Sequence, residues 1–436
     1  MILTNDNKYE ESRRKQLKID EFNSVEHPFM EQLKELGWND DANEVIELKM
    51  QQQPSESFRT SFSEVVLMPK LRKALKQIND FLTDSQIDEV ANRITAYQGG
   101  TLLENNERIF NLLVEGTSVS RNEQTGEQSP SVRYIDFDHP ENNIFTAISQ
   151  FKVAIPGTDH HIIPDIVLFL NGLPIVVVEA KSPKVSEPLS EAIDQLMRYS
   201  EQRGDTGEGN PALFQYNQFL IVTCRNEAKA GTITTHREKY FYRWTDPYPM
   251  TLNDLTHGQS APNDQQRLVA GMLSLQNLLD IIRIFTIFSI NDKGKKIKIV
   301  CRYQQFRAVK KMVKRLQEGK TKEDRGGILW HTQGSGKSLT MMFLVRQMQL
   351  ITALQSWKVV FVTDRTQLEE QLGDTGGGVG FNLKKAEFIN PRADKPMCSL
   401  KELLSTNTSD LVMAMIHKFQ ESGELDDIQI FPVLNE

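Results

Sequence analysis

Cysteine is scarce: the 436-residue chain holds three, Cys224, Cys301 and Cys398, and no two of them form a CxxC pair. That excludes a disulfide framework and a thiolate zinc site, and it fits a reducing cytoplasm. Long apolar runs are missing as well. The longest, Leu278 to Ile290, is broken by Asp280 and Arg283. It falls short of the roughly 17–25 residues needed to cross a bilayer, so no membrane partner is expected. The opening stretch MILTNDNKYEESRRK has no apolar core and is not a secretory signal. Positive charge is not in excess either. With 51 Lys and Arg against 58 Asp and Glu, the net charge is −7. This argues against coating nucleic acid by bulk charge, though not against a local basic groove. There is no internal repeat and no long low-complexity tract.

What is present is an ordinary globular composition, 39% hydrophobic and 25% charged, in a chain too long for one core. Residues 1–20 read as a loose polar arm. A short helix is expected from Phe29 to Leu36, stopped by Gly37, and helical periodicity runs through residues 60–115. Strand-like segments extend, with breaks, from Val132 to Thr223, interrupted by a polar loop at Arg203 to Pro211, and a stretch rich in Pro, Asp, Asn, Gly and Ser (Thr245 to Asn263) follows. The expected divisions are an arm at 1–20, a first domain at 21–250, a linker at 251–265 and a second domain at 266–436. The second domain opens with a helical run, Leu268 to Ile290. Strands and helices alternate beyond it, as in a parallel sheet with crossover helices. Two basic clusters, Lys293 to Lys298 and Lys310 to Arg315, read as a solvated face, with DNA contact as the alternative.

The most informative segment is PDIVLFLNGLPIVVVEAK, Pro164 to Lys181. It reads as strand, Asn-Gly turn, strand. Three charged groups, Asp165, Glu179 and Lys181, stand on otherwise apolar strands, where an uncompensated charge is costly. Register decides whether they can cooperate. A two-residue turn pairs Asp165 with Val178 and sends Glu179 to the opposite face. A three-residue loop, Leu170 to Gly172, pairs Asp165 with Val177 and makes Glu179 a same-face diagonal neighbour. An odd-length loop, or an equivalent bulge, is therefore expected. Two carboxylates can hold a hard cation such as Mg²⁺ beside a phosphodiester, and a lysine can orient water or stabilise charge at phosphorus. The bland alternative is a structural Glu179–Lys181 pair with a turn-capping Asp165.

These residues resemble the PD-(D/E)xK nuclease motif, matched by Pro164-Asp165 and Glu179-Ala180-Lys181. The apolar strands around the turn, and the upstream YIDFDHPENNIFTAISQF, look more specifically like the nuclease domain of type I restriction enzyme motor subunits. That family carries a Gln-x-x-x-Tyr element after the active strands. Gln195 and Tyr199 match it, on one face of a helix expected to begin near Pro188. Many relatives add a glutamate from the first helix. Glu26 lies in its place, and the alternative is a carboxylate favoured at a helix start. His160 and His161 read as surface histidines at a strand end, with metal ligation as the alternative.

Residues 326–340, GGILWHTQGSGKSLT, carry a second constellation. A short strand, Ile328 to Trp330, is expected to enter a Gly-rich turn, with a helix from about Lys337. Gly334, Ser335 and Gly336 can form a nest of N–H groups for phosphate, Lys337 can meet the β/γ-phosphates, and Ser338 can hold Mg²⁺. His331 replaces the first glycine of the strict pattern. The segment HTQGSGKSLTM resembles type I motor subunits and other superfamily 2 helicases. Arg302 to Phe306 looks like the upstream motif that reads adenine, with Gln305 preferred over Gln304 and Arg302 beside it. Val359 to Leu372 looks like helicase motif Ia, with Thr363, Asp364 and Arg365 by DNA, and Ala414 to Phe419 stands roughly where the next motif falls. No DEAD/DEAH-type acidic motif precedes Glu436, so the chain reads as part of a longer protein, unable to translocate DNA alone.

The resemblance implies an α/β chain: a PD-(D/E)xK nuclease-like α/β domain, then an incomplete RecA-like parallel-sheet helicase lobe. It implies a type I restriction endonuclease subunit that cuts double-stranded DNA, uses Mg²⁺ and ATP, and joins methylation and specificity subunits. No base-reading motif is expected or found. The rivals are a DNA-binding motor scaffold with a dead nuclease, and a non-restriction helicase with an unrelated N-terminal domain.

Overall fold

Three helix starts are written as capping boxes, in which a Thr or Asn side chain and a Gln or Glu three residues on satisfy each other's free N–H groups. Thr83 with Gln86 opens one helix and Thr101 with Glu104 another. Asn263 with Gln266 opens a third. The computed structural model describes residues 20–96, 99–256, 261–291, 293–363, 383–385, 400–405, 408–409 and 411–416. The expected arm at 1–19, the motif residues Asp364 and Arg365, and residues 417–419 of the last motif lie outside them. The contacts divide the chain into two units: Met1–Thr286 with Val300–Tyr303, and Ile287–Ile299 with Gln304–Glu436.

The first unit is built on one mixed six-stranded sheet whose strands lie in chain order: β1 (Glu44–Ile46), β2 (Phe145–Ser149), β3 (Ile166–Leu170), β4 (Leu173–Ala180), β5 (Phe219–Thr223) and β6 (Ala228–Gly231). β1 runs parallel to β2 and β4 parallel to β5, while the other neighbours are antiparallel. Every residue of β2 to β5 is buried. The longer helices are α1 (His27–Leu33), α2 (Met68–Ile78), α3 (Asp84–Thr95), α4 (Leu102–Glu115), α5 (Pro188–Tyr199), α6 (Asp264–Leu273) and α7 (Leu275–Arg283). α5 is the crossover that a parallel β4–β5 pair requires, and it packs on both strands. It begins at Pro188, as the sequence predicts.

The hairpin joining β3 and β4 takes the second of the two expected forms, a bulge rather than an odd-length loop. The turn is the two-residue Asn171-Gly172, both left-handed at φ 52° and 80°, the combination that type I′ turns need. The face is instead restored by a bulge: Phe169 pairs with Pro174 but Leu168 with Val176, so Ile175 is extra. Ile166 then faces Val178. One step on, the same register sets Asp165 directly opposite Glu179, closer than the diagonal expected.

The turn itself is locked. Gly172 accepts the Leu67 N–H through its carbonyl at 2.8 Å, and a Cβ there would meet the Leu67 carbonyl oxygen at 2.5 Å and the Leu71 nitrogen at 2.8 Å. Gly172→Ala is expected to destabilise the first unit by more than the ~1–3 kcal/mol of a left-handed alanine alone. Gly157→Ala, at φ 76° with nothing within 4 Å, should incur only that backbone part. Urea unfolding of the two variants checks the difference.

The boundary also differs from expectation. Residues 251–265 do not separate the two units, because α6 and α7 belong to the first. The Trp38 indole donates to the Leu273 carbonyl, Gln32 to the Gln266 carbonyl and Gln265 to the Val25 carbonyl. The helical run also stops at Arg283, and the β-branched and aromatic Thr286–Ile290 pairs as a strand with Lys296–Val300.

In the second unit, the described strands Val359–Thr363 and Leu383–Lys385 each run parallel to Leu411–Met415 between them. A long helix covers Tyr303–Glu318 and another Lys337–Gln349. Ile328 to Trp330 is not a strand. It has no ladder partner among the described residues, and Ile328 and Trp330 are 97% and 88% exposed. No helix among the described residues is long and apolar enough to cross a membrane.

Candidate nuclease centre and phosphate loop

Asp165 stands at the entry to β3 and Glu179 near the end of β4, with Lys181 just beyond it. All three are buried, at 6%, 0% and 6% exposure. The Lys181 ammonium donates to Glu179 Oε1 and to the Ala180 carbonyl, both at 2.9 Å. Asp165 Oδ2 accepts the Ala180 N–H at 2.7 Å, across the strands. The bland reading's ion pair is therefore real, but Asp165 caps the neighbouring strand rather than a turn.

Glu26, 3% exposed, joins these groups from the N-terminal segment. The chain from Phe22 to Glu26 is wound as a π-turn directly ahead of α1. Such i→i+5 winding brings residues five apart onto one side, where an α-helix would turn them roughly 140° apart. Glu21 and Glu26 thus face Asp165 together, with carboxylate oxygens of all three within 4.8 Å of one another. Glu21 was missed by sequence reasoning, since no regular helix pairs it with Glu26. Glu21 also accepts the Ser182 N–H at 3.0 Å, and Asp20 meets Lys184 at 2.7 Å, fastening this turn beside the end of β4.

The electrostatics follow from burial. Burial first, and then the Asp165 and Glu21 charges, push the Glu26 carboxyl up to about 8. Burial raises Asp165, and burial with the Asp165 charge raises Glu179 well above the carboxylate range. Burial works against the Lys181 ammonium, but the Glu179 and Asp165 charges outweigh it and hold its pKa above the ordinary lysine value. A carboxyl that is protonated more readily when folded stabilises the fold at low pH and loses that contribution as pH rises through its folded pKa. The cation-free chain should therefore become less stable between about pH 4.5 and 8, the ordinary and folded values for Glu26. Glu26→Gln should flatten that fall. Thermal unfolding in chelator across the range measures it.

Gln195 and Tyr199 meet as expected: the Gln195 amide donates to the Tyr199 hydroxyl at 2.6 Å, and that hydroxyl donates to the Ile163 carbonyl at 3.3 Å. Burial, and then the Glu179 and Asp165 charges, raise the Tyr199 pKa, so the phenol lies in the field of the acids. His160 and His161 do not join. Among the described residues neither belongs to a group able to hold a metal, and the His161 ring stands edge-on to Phe62 at 5.5 Å.

These residues fit a hard divalent cation. The converging donors are all carboxylate oxygens, and Glu179 Oε2 is buried with no hydrogen-bond donor. The acids outnumber the one ammonium among them, an imbalance that a simple structural ion pair would not carry.

At the candidate phosphate loop, Gly334 and Gly336 are left-handed at φ 75° and 85°, and the helix begins at Lys337. The Lys337 ammonium lies across the loop, on the His331 and Thr332 carbonyls at 2.9 Å each. Ser335 Oγ donates to the Thr332 carbonyl, and Ser338 stands half-buried in the first helical turn. Gln305, nearly fully buried, donates to the Gly336 carbonyl at 3.1 Å. Arg302 is exposed and falls in the first unit.

Residues 18–239 match the family model described as type I restriction enzyme R protein N terminus, and residues 304–436 match SWI2/SNF2 ATPase. The type I restriction enzyme HindI endonuclease subunit of Haemophilus influenzae is 30% identical over 418 residues, 95% of this chain and 37% of the relative. A putative type I restriction enzyme endonuclease subunit of Methanocaldococcus jannaschii, MjaIXP, is 28% identical over 443 residues, 97% of this chain and 39% of the relative. The SsaAORF53P endonuclease subunit of Staphylococcus saprophyticus is 24% identical over 387 residues, 86% and 35%. The chain thus spans between a third and two fifths of the length of these relatives. The match over residues 18–239, half of the chain, makes this chain a member of the type I restriction enzyme R protein family.

Proposed function

We propose that the first unit is a PD-(D/E)xK endonuclease that cuts double-stranded DNA, and the second the beginning of a RecA-like, ATP-binding motor lobe. The observation that carries this reading is a cluster of acids beside an ammonium: Glu26 and Asp165, with Glu21, bring carboxylate oxygens within 4.8 Å of one another, and Glu179, which feels the Asp165 charge, pairs with Lys181. Asp165 and Glu179, with Glu26, would hold Mg²⁺. Bound there, the cation supplies Lewis-acid polarisation of the scissile phosphate and a more acidic water. The protein's own part is separate. The bulge at Ile175 brings Glu179 onto the face of Asp165. The Glu179 carboxylate keeps Lys181 charged and beside the reacting groups, able to stabilise charge at phosphorus. The Tyr199 hydroxyl and Gln195 amide can orient water or DNA from the α5 side.

In the motor lobe, Gly334, Ser335, Gly336 and Lys337 would cradle the phosphates of ATP, Ser338 would meet its Mg²⁺, and Gln305 would monitor the loop. The relatives in Haemophilus influenzae and Methanocaldococcus jannaschii are named as endonuclease subunits. By that likeness the whole protein works with methylation and specificity subunits in the cytoplasm, cutting foreign DNA as part of phage defence. The test is Mg²⁺-dependent nicking of supercoiled plasmid, beside an Asp165→Ala variant. Cutting by the wild type alone supports the reading, and equal cutting by both removes Asp165 from the chemistry.

A further inference from the structure

Gln150 follows β2 directly and is left-handed at φ 50°, a conformation that costs a non-glycine residue of order 1 kcal/mol or more. Glycine or asparagine would adopt it more easily. Its backbone N–H donates to the Asp165 carbonyl at 2.7 Å. Its side-chain nitrogen donates to two acids at once: Glu26 Oε2 at 2.9 Å and Asp165 Oδ1 at 3.3 Å. One amide therefore ties the N-terminal π-turn to the sheet at the point where two like charges meet. A lysine could also hold them, but its charge would satisfy the carboxylates and repel a cation. A neutral donor leaves the negative charge available.

We infer that Gln150 is a positioning residue of this centre: its amide fixes the Glu26 carboxylate beside that of Asp165, so that both acids serve one divalent cation. This rests on the nuclease reading above. The 436-residue chain is titrated with Mg²⁺, and affinity is read by calorimetry and from the rise in unfolding temperature. Gln150→Gly, which keeps the left-handed backbone and deletes the amide, should weaken Mg²⁺ binding about 10-fold without lowering the unfolding temperature in chelator. Gln150→Met, which keeps the length and removes both donors, carries the same expectation and covers a failure of the glycine variant to fold. In a Glu26→Gln background, Gln150→Gly should add less than about twofold, because its effect runs through Glu26.

Unchanged affinity in both Gln150 variants, or a full additional loss in the Glu26→Gln background, overturns the inference. The nuclease reading fails separately if Asp165→Ala binds Mg²⁺ as the wild type does.

Discussion

Asp165→Asn is expected to lower the proposed DNA cutting by about three orders of magnitude while the protein stays folded. The magnitude reflects loss of an anionic cation ligand at a reacting phosphate, beyond what removal of a single neutral donor costs. Asparagine is the informative replacement because it separates charge from structure. Its side-chain oxygen can still accept the Ala180 N–H that Asp165 Oδ2 holds at 2.7 Å, and the Gln150 amide, which loses its 3.3 Å contact with Oδ1, keeps Glu26 as an acceptor. What disappears is one negative charge in a buried cluster where Glu26 and Glu179 already hold their protons above the usual range. The cation-free variant should therefore unfold at the same temperature or higher, whereas a residue whose role is purely structural would lose stability. Parallel plasmid-nicking and thermal-unfolding measurements decide between the two. Retained cutting with lowered stability would return Asp165 to the bland reading.

The sequence disclosed which residues meet in this centre better than how they meet. Asp165, Glu179 and Lys181 stood out because charge on an apolar strand needs a reason, and Gln195 and Tyr199 because their spacing survives on any regular helix. The bulge was legible only as a requirement. In PIVVV both faces of β4 are apolar and buried, so no alternation marks where the extra residue sits. Glu21 and Gln150 were hidden for a related reason, since each depends on an irregular backbone, a π-turn and a left-handed residue, that no periodicity predicts. The Pro- and Asn-rich stretch near residue 250 looked like a linker because surface loops and linkers share a composition. The hydrogen bonds from Gln265 and Trp38 that fold α6 back onto the first unit leave no such trace. Ile328 to Trp330 failed in the other direction: an apolar triplet suggests a strand, yet a strand exists only through its ladder partners.

Lys337→Ala should weaken ATP binding by about 100-fold, the effect expected when charge-assisted bonds to phosphate are lost. The ammonium now rests on the neutral His331 and Thr332 carbonyls. Phosphate oxygens would replace those weaker acceptors with anionic ones and draw the same side chain outward. The alanine variant keeps the helix start and the left-handed Gly334 and Gly336, so the loss reports charge rather than loop shape. Lys337→Arg should recover only part of it. A planar, longer guanidinium cannot reproduce a compact point charge inside a nest of N–H groups. Ser338→Ala should matter only when Mg²⁺ accompanies the nucleotide, because its hydroxyl would meet the metal and not the phosphate. Calorimetric titration with ATP, with and without Mg²⁺, separates the three variants. Affinity in Lys337→Ala within about threefold of the wild type would mean that this loop does not cradle phosphate.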